Sequence, residues 1–229
     1  MAVNGLRKFS LIDYPGKIAC VIFLGHCNFR CPFCHNPVLI FDPESQGTLS
    51  AEQLSEFFGQ RRGKLEAAVF SGGEPSLDPD LPRYVRPAKA AGFAVKLDTN
   101  GTRPEIISDL IEKNLVDYFA MDIKNSPEKY DFTAGAKVDM EKIKESISLL
   151  INRAPGYEFR TTVVKGFHEE KDFDEIGKLI YGAKKYFLQK FTDSGALLGE
   201  VDGACSDEEM EAFALRAQKY IPSACIRGK

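Results

Sequence analysis

The amino-acid sequence predicts an α/β fold, a partial (β/α)6 barrel with parallel strands, formed by a single domain over residues 1–229. Three observations lead to it. Short apolar runs rich in β-branched and aromatic residues alternate six times with stretches of helical period, an order that gives parallel strands joined by right-handed crossovers. The length of 229 residues suits one α/β domain, yet six units are too few to close an eight-fold barrel. The residues with chemical potential fall just after the apolar runs, where parallel α/β folds bind ligands.

The first predicted strand covers residues 18–24 and runs into a cysteine-rich loop. A loose stretch at 41–47 precedes a helix predicted over 50–61, with Ser50 and Gln53 at capping-box spacing. The second strand is placed at 67–70 and its helix at 80–91; the third strand at 93–97 and its helix at 104–114, which opens on proline. The fourth strand, 116–121, leads through a second loose stretch at 124–135 to a helix at 139–152. The fifth strand, 157–164, is followed by a helix at 172–183, and the sixth, 186–191, by a third loose stretch at 192–205 and a last helix at 206–220. No internal repeat or low-complexity tract divides the chain.

Composition narrows the function classes. Thirty basic and thirty-three acidic residues leave a net charge of −3, so no long-range field draws the protein to nucleic acid or an anionic membrane. Residues 1–17 lack an apolar targeting core, and no apolar run approaches the ~18 residues that span a bilayer. A cytoplasmic location with neither nucleic acid nor membrane as partner is the expectation. With 44% hydrophobic residues the chain can bury a core without disulfides. Six cysteines, three of them between positions 27 and 34, point to metal or redox chemistry instead.

The loop reads Gly25-His26-Cys27-Asn28-Phe29-Arg30-Cys31-Pro32-Phe33-Cys34-His35-Asn36-Pro37. Cys31 to Cys34 has the spacing of a thioredoxin-like redox pair, and Cys31 to His35 that of a c-type haem attachment site, but neither uses Cys27. A structural zinc ion on Cys27, Cys31, Cys34 and His35 is a further reading, although adjacent Cys34 and His35 chelate one ion awkwardly. Three thiolates can also bind three irons of a cubane and leave the fourth iron open, a reading that uses every cysteine of the loop.

The Cys-x3-Cys-x2-Cys spacing, with aromatic Phe33 before the last cysteine, resembles the radical S-adenosylmethionine superfamily. The flanks Asp13-Tyr14-Pro15-Gly16 and Cys34-His35-Asn36-Pro37 resemble the activating enzymes of glycyl radical enzymes, nearest to the activators of anaerobic ribonucleoside-triphosphate reductase. The resemblance implies a [4Fe–4S] cluster on Cys27, Cys31 and Cys34, with S-adenosylmethionine on its open iron and contacts from Phe33 and His35. It further implies a low-potential donor such as flavodoxin or ferredoxin, reductive cleavage of the cofactor, and a glycyl radical made on a partner enzyme.

The later strand ends carry further motifs. Ser71-Gly72-Gly73-Glu74-Pro75 would alone be an ordinary turn, but it resembles the family's Gly-Gly-Glu-Pro, with Glu74 as acceptor for the cofactor ammonium. Asp98-Thr99-Asn100-Gly101 is either a turn with a helix cap or part of the site. Met121-Asp122-Ile123-Lys124 resembles the Asp-x-Lys of activating enzymes, whose lysine meets the cofactor carboxylate, and in some relatives the two aspartates also hold a monovalent cation, a place Asp98 and Asp122 could fill. A surface Asp–Lys pair is the plain alternative. Arg160 either reaches the cofactor or forms a buried ion pair. Relatives carry a nucleoside-touching histidine where this chain has Phe191, which puts that contact in doubt. His26 and His168 are expected in loops or on the surface, and Cys20, Cys205 and Cys225 as packing or free thiols. Two rivals remain at this level: a radical enzyme acting on a small molecule, such as a deazaguanine-forming synthase, and a non-catalytic iron–sulfur or zinc module.

Overall fold

The computed structural model describes residues 3–193 and 195–228. Eight strands form one sheet in sequence order: β1 Val3–Ser10, β2 Ala19–Leu24, β3 Ala67–Gly72, β4 Ala94–Thr99, β5 Tyr118–Asp122, β6 Tyr157–Val163, β7 Tyr186–Lys190 and β8 Cys225–Ile226. The helices are α1 Val38–Phe41, α2 Ala51–Arg61, α3 Leu81–Ala90, α4 Pro104–Glu112, α5 Tyr130–Ala134, α6 Met140–Arg153, α7 Glu170–Leu179 and α8 Asp207–Gln218. All neighbours from β2 to β8 pair in parallel, and only β1 runs antiparallel, against β2.

The six expected strands are therefore β2 to β7, and two strands escaped the sequence reading. In β1, Asn4, Gly5, Arg7 and Lys8 erase the alternation that marks a half-buried strand, and β8 is too short to show a period. Helix starts follow their caps: the Ser50 and Ser206 side chains each accept from the third residue of the helix, whose own side chain reaches back. For α7 the expected start at Asp172 is corrected to Glu170, because Asp172 is the residue that reaches back, accepting from the Glu169 N–H at 2.9 Å. The stretch 124–135, expected to be loose, holds a 3-10 turn at Pro127–Lys129 and then α5.

Side chains along β2 to β7 alternate between two surroundings. One set packs against the helices in the main core, where Phe58, Phe70, Phe119, Phe159 and Phe173 are fully buried. The other set faces a concave lumen, and its lower end holds a small cluster of Tyr14, Ala19, Val21, Ala67, Val69 and Tyr118. The curl is visible in contacts that skip a strand, since Arg160 of β6 reaches Asp98 of β4 past β5. Tyr14, from the turn between β1 and β2, lies 5.8 Å ring to ring from Tyr118 and fills the end of the lumen where the strands begin. No described helix is long and apolar enough to cross a membrane.

Because Tyr14 has no substitute in that lumen cluster, Tyr14→Ala is expected to lower the unfolding free energy by about 3 kcal/mol, and Tyr14→Phe to retain most of it. Urea denaturation of the two variants reads the difference; equal loss in both would mean that the hydroxyl rather than the ring matters.

Candidate active site

Where β2 ends, the chain turns through the cysteine loop with His26 at positive φ, and the loop is then tied down at three points. His26 N–H donates to the Leu39 carbonyl at 2.6 Å, Arg30 N–H to the Ala134 carbonyl at 2.8 Å, and Gly199 N–H to the Pro32 carbonyl at 2.9 Å. The end of β3 lies directly against this loop. A Cβ on Gly73 would stand 1.9 Å from the His26 carbonyl oxygen, and one on Gly72, at φ +117, 2.4 Å from that of Leu24. The glycines thus allow backbone to meet backbone, joining the glycine turn to the cysteine loop.

A cavity of about 260 Å³ opens over the ends of β2 to β6. Its wall gathers Cys27, Cys31, Cys34, Phe33, His35, Gly72, Gly73, Glu74, Asp98, Asp122, Lys124 and Arg160, which are all the expected site residues except one. Pro75 is buried at the start of a short 3-10 turn and does not line it. Phe191 lies buried, stacked at 5.6 Å on His35, so the histidine of the cysteine loop faces the cavity in front of it.

Glu74 lines the cavity with a carboxylate that the protein also holds in place. One of its oxygens accepts from Ser76 N–H at 3.0 Å, the Ser76 hydroxyl and the Thr99 hydroxyl at 2.8 Å, and the other from Asn100 N–H. Three of these bonds fall on Oε1 and one on Oε2, so Oε2 keeps acceptor capacity. Their combined effect is to fasten the Gly-Gly turn to the Asp98–Asn100 turn, which makes the latter part of the site rather than a mere cap. Asn100 in turn donates to Asn28 of the cysteine loop at 2.8 Å.

Below the cavity runs a row of alternating charge. Lys96 Nζ lies 2.7 Å from Asp98, Arg160 touches Asp98 at 3.4 Å and Asp122 at 2.8 Å, and Lys124 Nζ lies 3.1 Å from Asp122. Burial acts to raise both carboxyls, but Arg160 and a lysine outweigh it, holding Asp122 at about 2 and Asp98 below its ordinary value. The guanidinium lies against both carboxylates at which the resemblance put a monovalent cation. Arg160 is accordingly an ion pair and a cavity wall together, and the Asp122–Lys124 pair belongs to the cavity rather than the surface. Lys96 went unnoticed in the sequence; a charge between Val95 and Leu97, two residues before Asp98, was the available signal, because strand period sets both on one face.

His168, expected in a loop or at the surface, is buried behind Lys124. Val164 N–H donates to its Nδ1 at 3.2 Å, so the proton sits on Nε2, which donates to the Lys124 carbonyl at 2.9 Å. His26 is exposed as expected, and Cys20 and Cys205 are buried, Cys225 exposed, all three away from the cavity.

The donor set suits a cubane better than a single ion. Cys27, Cys31 and Cys34 line the same cavity and are free thiols. A cubane offers each thiolate its own iron. The Phe29 N–H already points at Cys27 Sγ at 3.4 Å, the sense of hydrogen bond a thiolate accepts.

The profile of the radical SAM superfamily matches residues 21–180. The chain is 38% identical, over 98% of its own length and 95% of the relative's, to a protein of Methanocaldococcus jannaschii assigned by inference as a glycyl-radical enzyme activating enzyme. It is 32% identical to the pyruvate formate-lyase-activating enzyme of Listeria monocytogenes over 56% of this chain and 55% of that one. Among solved structures, Streptococcus suis SuiB bound to S-adenosylmethionine superposes with a TM-score of 0.70 at 11% identity, covering 91% of this chain and 52% of that one.

The buried imidazole makes stability depend on pH. Burial lowers the His168 pKa, with nearby Lys129 adding to it and Asp172 opposing, so the folded protein takes up the proton less readily than the unfolded chain. The stability of the neutral form is complete above the unfolded pKa of about 6.5 and falls as pH drops below it, by at most about 1.4 kcal/mol per pH unit. Urea titrations at about pH 7.5 and about pH 5.5 should show a smaller drop for His168→Gln than for the native protein; His35, also lowered by burial, acts in both. The same drop in both proteins would clear His168 of the effect.

Proposed function

We propose, from the premise that this chain belongs to the radical SAM superfamily, that it activates a glycyl radical enzyme by cleaving S-adenosylmethionine beside a [4Fe–4S] cluster. The observation that carries the reading is the meeting of the three loop cysteines, the Gly-Gly turn and Lys124 in one cavity at successive strand ends. The cluster and cofactor supply, when bound, the low-potential electron and the 5′-deoxyadenosyl radical that takes hydrogen from a backbone glycine.

The protein's own residues bind and orient. Cys27, Cys31 and Cys34 are the cluster ligands in this reading. Lys124 uses one of its three donors on Asp122 and has two left for the cofactor carboxylate, while Arg160, paired with Asp98 and Asp122, forms part of the same cavity wall. Glu74 fastens its turn and, lining the cavity, is the acceptor for the cofactor ammonium in this reading. Phe33, held edge-on at 5.6 Å by Phe167, and His35 supply the apolar and aromatic walls.

Within that reading we assign anaerobic ribonucleoside-triphosphate reductase as the partner, on the resemblance of Asp13-Tyr14-Pro15-Gly16 and Cys34-His35-Asn36-Pro37 to its activators. A flavodoxin or ferredoxin is the matching electron donor, and the cytoplasm the matching compartment.

Alanine at Cys27, Cys31 or Cys34 is expected to abolish the cluster's visible absorption after anaerobic reconstitution, whereas alanine at Cys20 or Cys225 leaves it. Lys124→Ala should weaken S-adenosylmethionine binding by about 10- to 100-fold, the value of a charge-assisted hydrogen bond. The reduced native protein mixed with S-adenosylmethionine and the anaerobic reductase should give a doublet glycyl radical signal in paramagnetic resonance, with deuterium from labelled partner glycine recovered in 5′-deoxyadenosine. Cofactor cleavage without radical on the reductase would reject that partner; a loaded, reduced protein that cleaves no cofactor would reject the enzyme reading.

A further inference from the structure

Carboxylates on the floor of a polar cavity ordinarily draw a hard cation, which takes its ligands from oxygen. Here the polypeptide meets those oxygens itself. Asp98 Oδ1 has Lys96 Nζ at 2.7 Å and Arg160 Nη1 at 3.4 Å, and its Oδ2 accepts from the Ser71 hydroxyl at 3.0 Å. Asp122 Oδ1 has Arg160 Nε at 2.9 Å and Nη2 at 2.8 Å, and its Oδ2 has Lys124 Nζ at 3.1 Å. Every oxygen of the pair carries a donor, so an alkali ion would have to displace one and then lie beside a fixed positive charge.

Lys96 is the member of this row whose presence needs a reason. Arg160 and Lys124 line the cavity, whereas Lys96 lies beneath it, 2% exposed, with the Asp13 carbonyl as a second acceptor at 2.8 Å. A lysine is rarely buried this completely, and Asp98 already has Arg160 against it. What Lys96 adds is charge. Among the described residues the row sets Lys96, Arg160 and Lys124 against Asp98 and Asp122, so positive charge is in excess. Without Lys96 the row would be neutral, and the 3.4 Å contact with Arg160 would be the ion pair left to Asp98. Glu74, the other carboxylate of the wall, is bonded within the neighbouring turns and stands outside the row. The excess therefore suits an anionic group in the cavity above.

We propose that Lys96 is a built-in counter-cation: acting through Asp98 and Arg160, its ammonium holds the place of a bound alkali ion and makes binding of the cofactor carboxylate independent of sodium and potassium. The inference rests on the proposed function for the identity of the anion. Lys96 is a positioning residue in this account and touches no cofactor.

The test is S-adenosylmethionine binding to the cluster-loaded protein by equilibrium dialysis, in potassium, sodium or tetramethylammonium chloride at equal ionic strength. The native protein should bind equally in all three. Lys96→Ala removes the charge and leaves the Asp98 and Asp13 oxygens, between which the ammonium lay, to a small ion. In tetramethylammonium, which is too bulky to enter, this variant should bind about tenfold more weakly, and potassium or sodium should restore the affinity. A merely structural lysine would give a loss that no ion restores; that result, like undiminished binding by Lys96→Ala in tetramethylammonium, would overturn the proposal. So would native binding that strengthens about tenfold in potassium, a measurement that decides the matter alone if Lys96→Ala does not fold. Cluster-loaded native protein that binds S-adenosylmethionine in none of the salts would instead overturn the proposed function.

Discussion

Two carboxylates on the concave face of a sheet are costly to take out of water unless cations follow them in, and here the cations decide the shape of the site. Arg160 is set against both Asp98 and Asp122, Lys96 closes the row at one end and Lys124 at the other. Because the row spans β4, β5 and β6, its attractions draw three strands around a common axis. Lys96 also donates to the Asp13 carbonyl at 2.8 Å, which ties the row to the turn that carries the Tyr14 plug. Curl, closure of the lower lumen and placement of Lys124 thus share one cause. Deleting Asp98 leaves Lys96, and deleting Asp122 leaves Lys124, without its carboxylate, a larger penalty than the pair's own contribution.

A second constraint holds the cysteine loop from behind. Asn125 donates to Thr133 and to the Phe167 carbonyl, both at 2.9 Å, Ser126 donates to Asp172 at 2.9 Å, and Lys129 reaches the same carboxylate at 2.8 Å. With His168 on the Lys124 carbonyl, these bonds fold 124–135 into a compact polar knot between β5 and α7. The knot presents Ala134 to Arg30 and Cys31, and Gly135 follows because a Cβ there would lie 2.2 Å from the Arg30 carbonyl. If the loop carries the three cluster ligands of the proposed function, it needs such support, since ligand geometry is only as precise as the shell behind it.

How much of this was legible in the sequence depended on the distance over which each feature is encoded. The parallel strands and their helices announce themselves by periodicity within a dozen residues, and the cavity-lining motifs by their place at strand ends. The knot does not, because Asn125, Tyr130, His168 and Asp172 come together only after the chain has folded, and α5 is too short to show a helical period. Glu74 was found in the right place with its partners unread, since the donors from Thr99 and Asn100 belong to the next unit of the fold. His168 was misplaced for the same reason: a lone histidine between Phe167 and Glu169 carries no local sign that Val164 and Lys124 will enclose its ring.

The electrostatics of the thiols join these two constraints. Burial pushes the Cys27 thiol up to about 12, with Glu74 adding to the rise, and raises Cys31 too, so the polypeptide alone favours neutral sulfur at both positions. Lys124 is the side chain that works against this at each thiol. A ligand thiol must lose its proton to bind iron, and bound metal cations reverse the effect of burial outright. With these cysteines as the cluster ligands of the proposed function, cluster uptake would be coupled to proton release, and Lys124, kept protonated by Asp122, would lower the cost of forming the thiolates. The same ammonium is the group assigned to the cofactor carboxylate. On the proposed function, one lysine, fixed by the charge row in front and by His168 behind, would serve both cluster assembly and cofactor binding, a double use that matches the buried polarity spent on placing it.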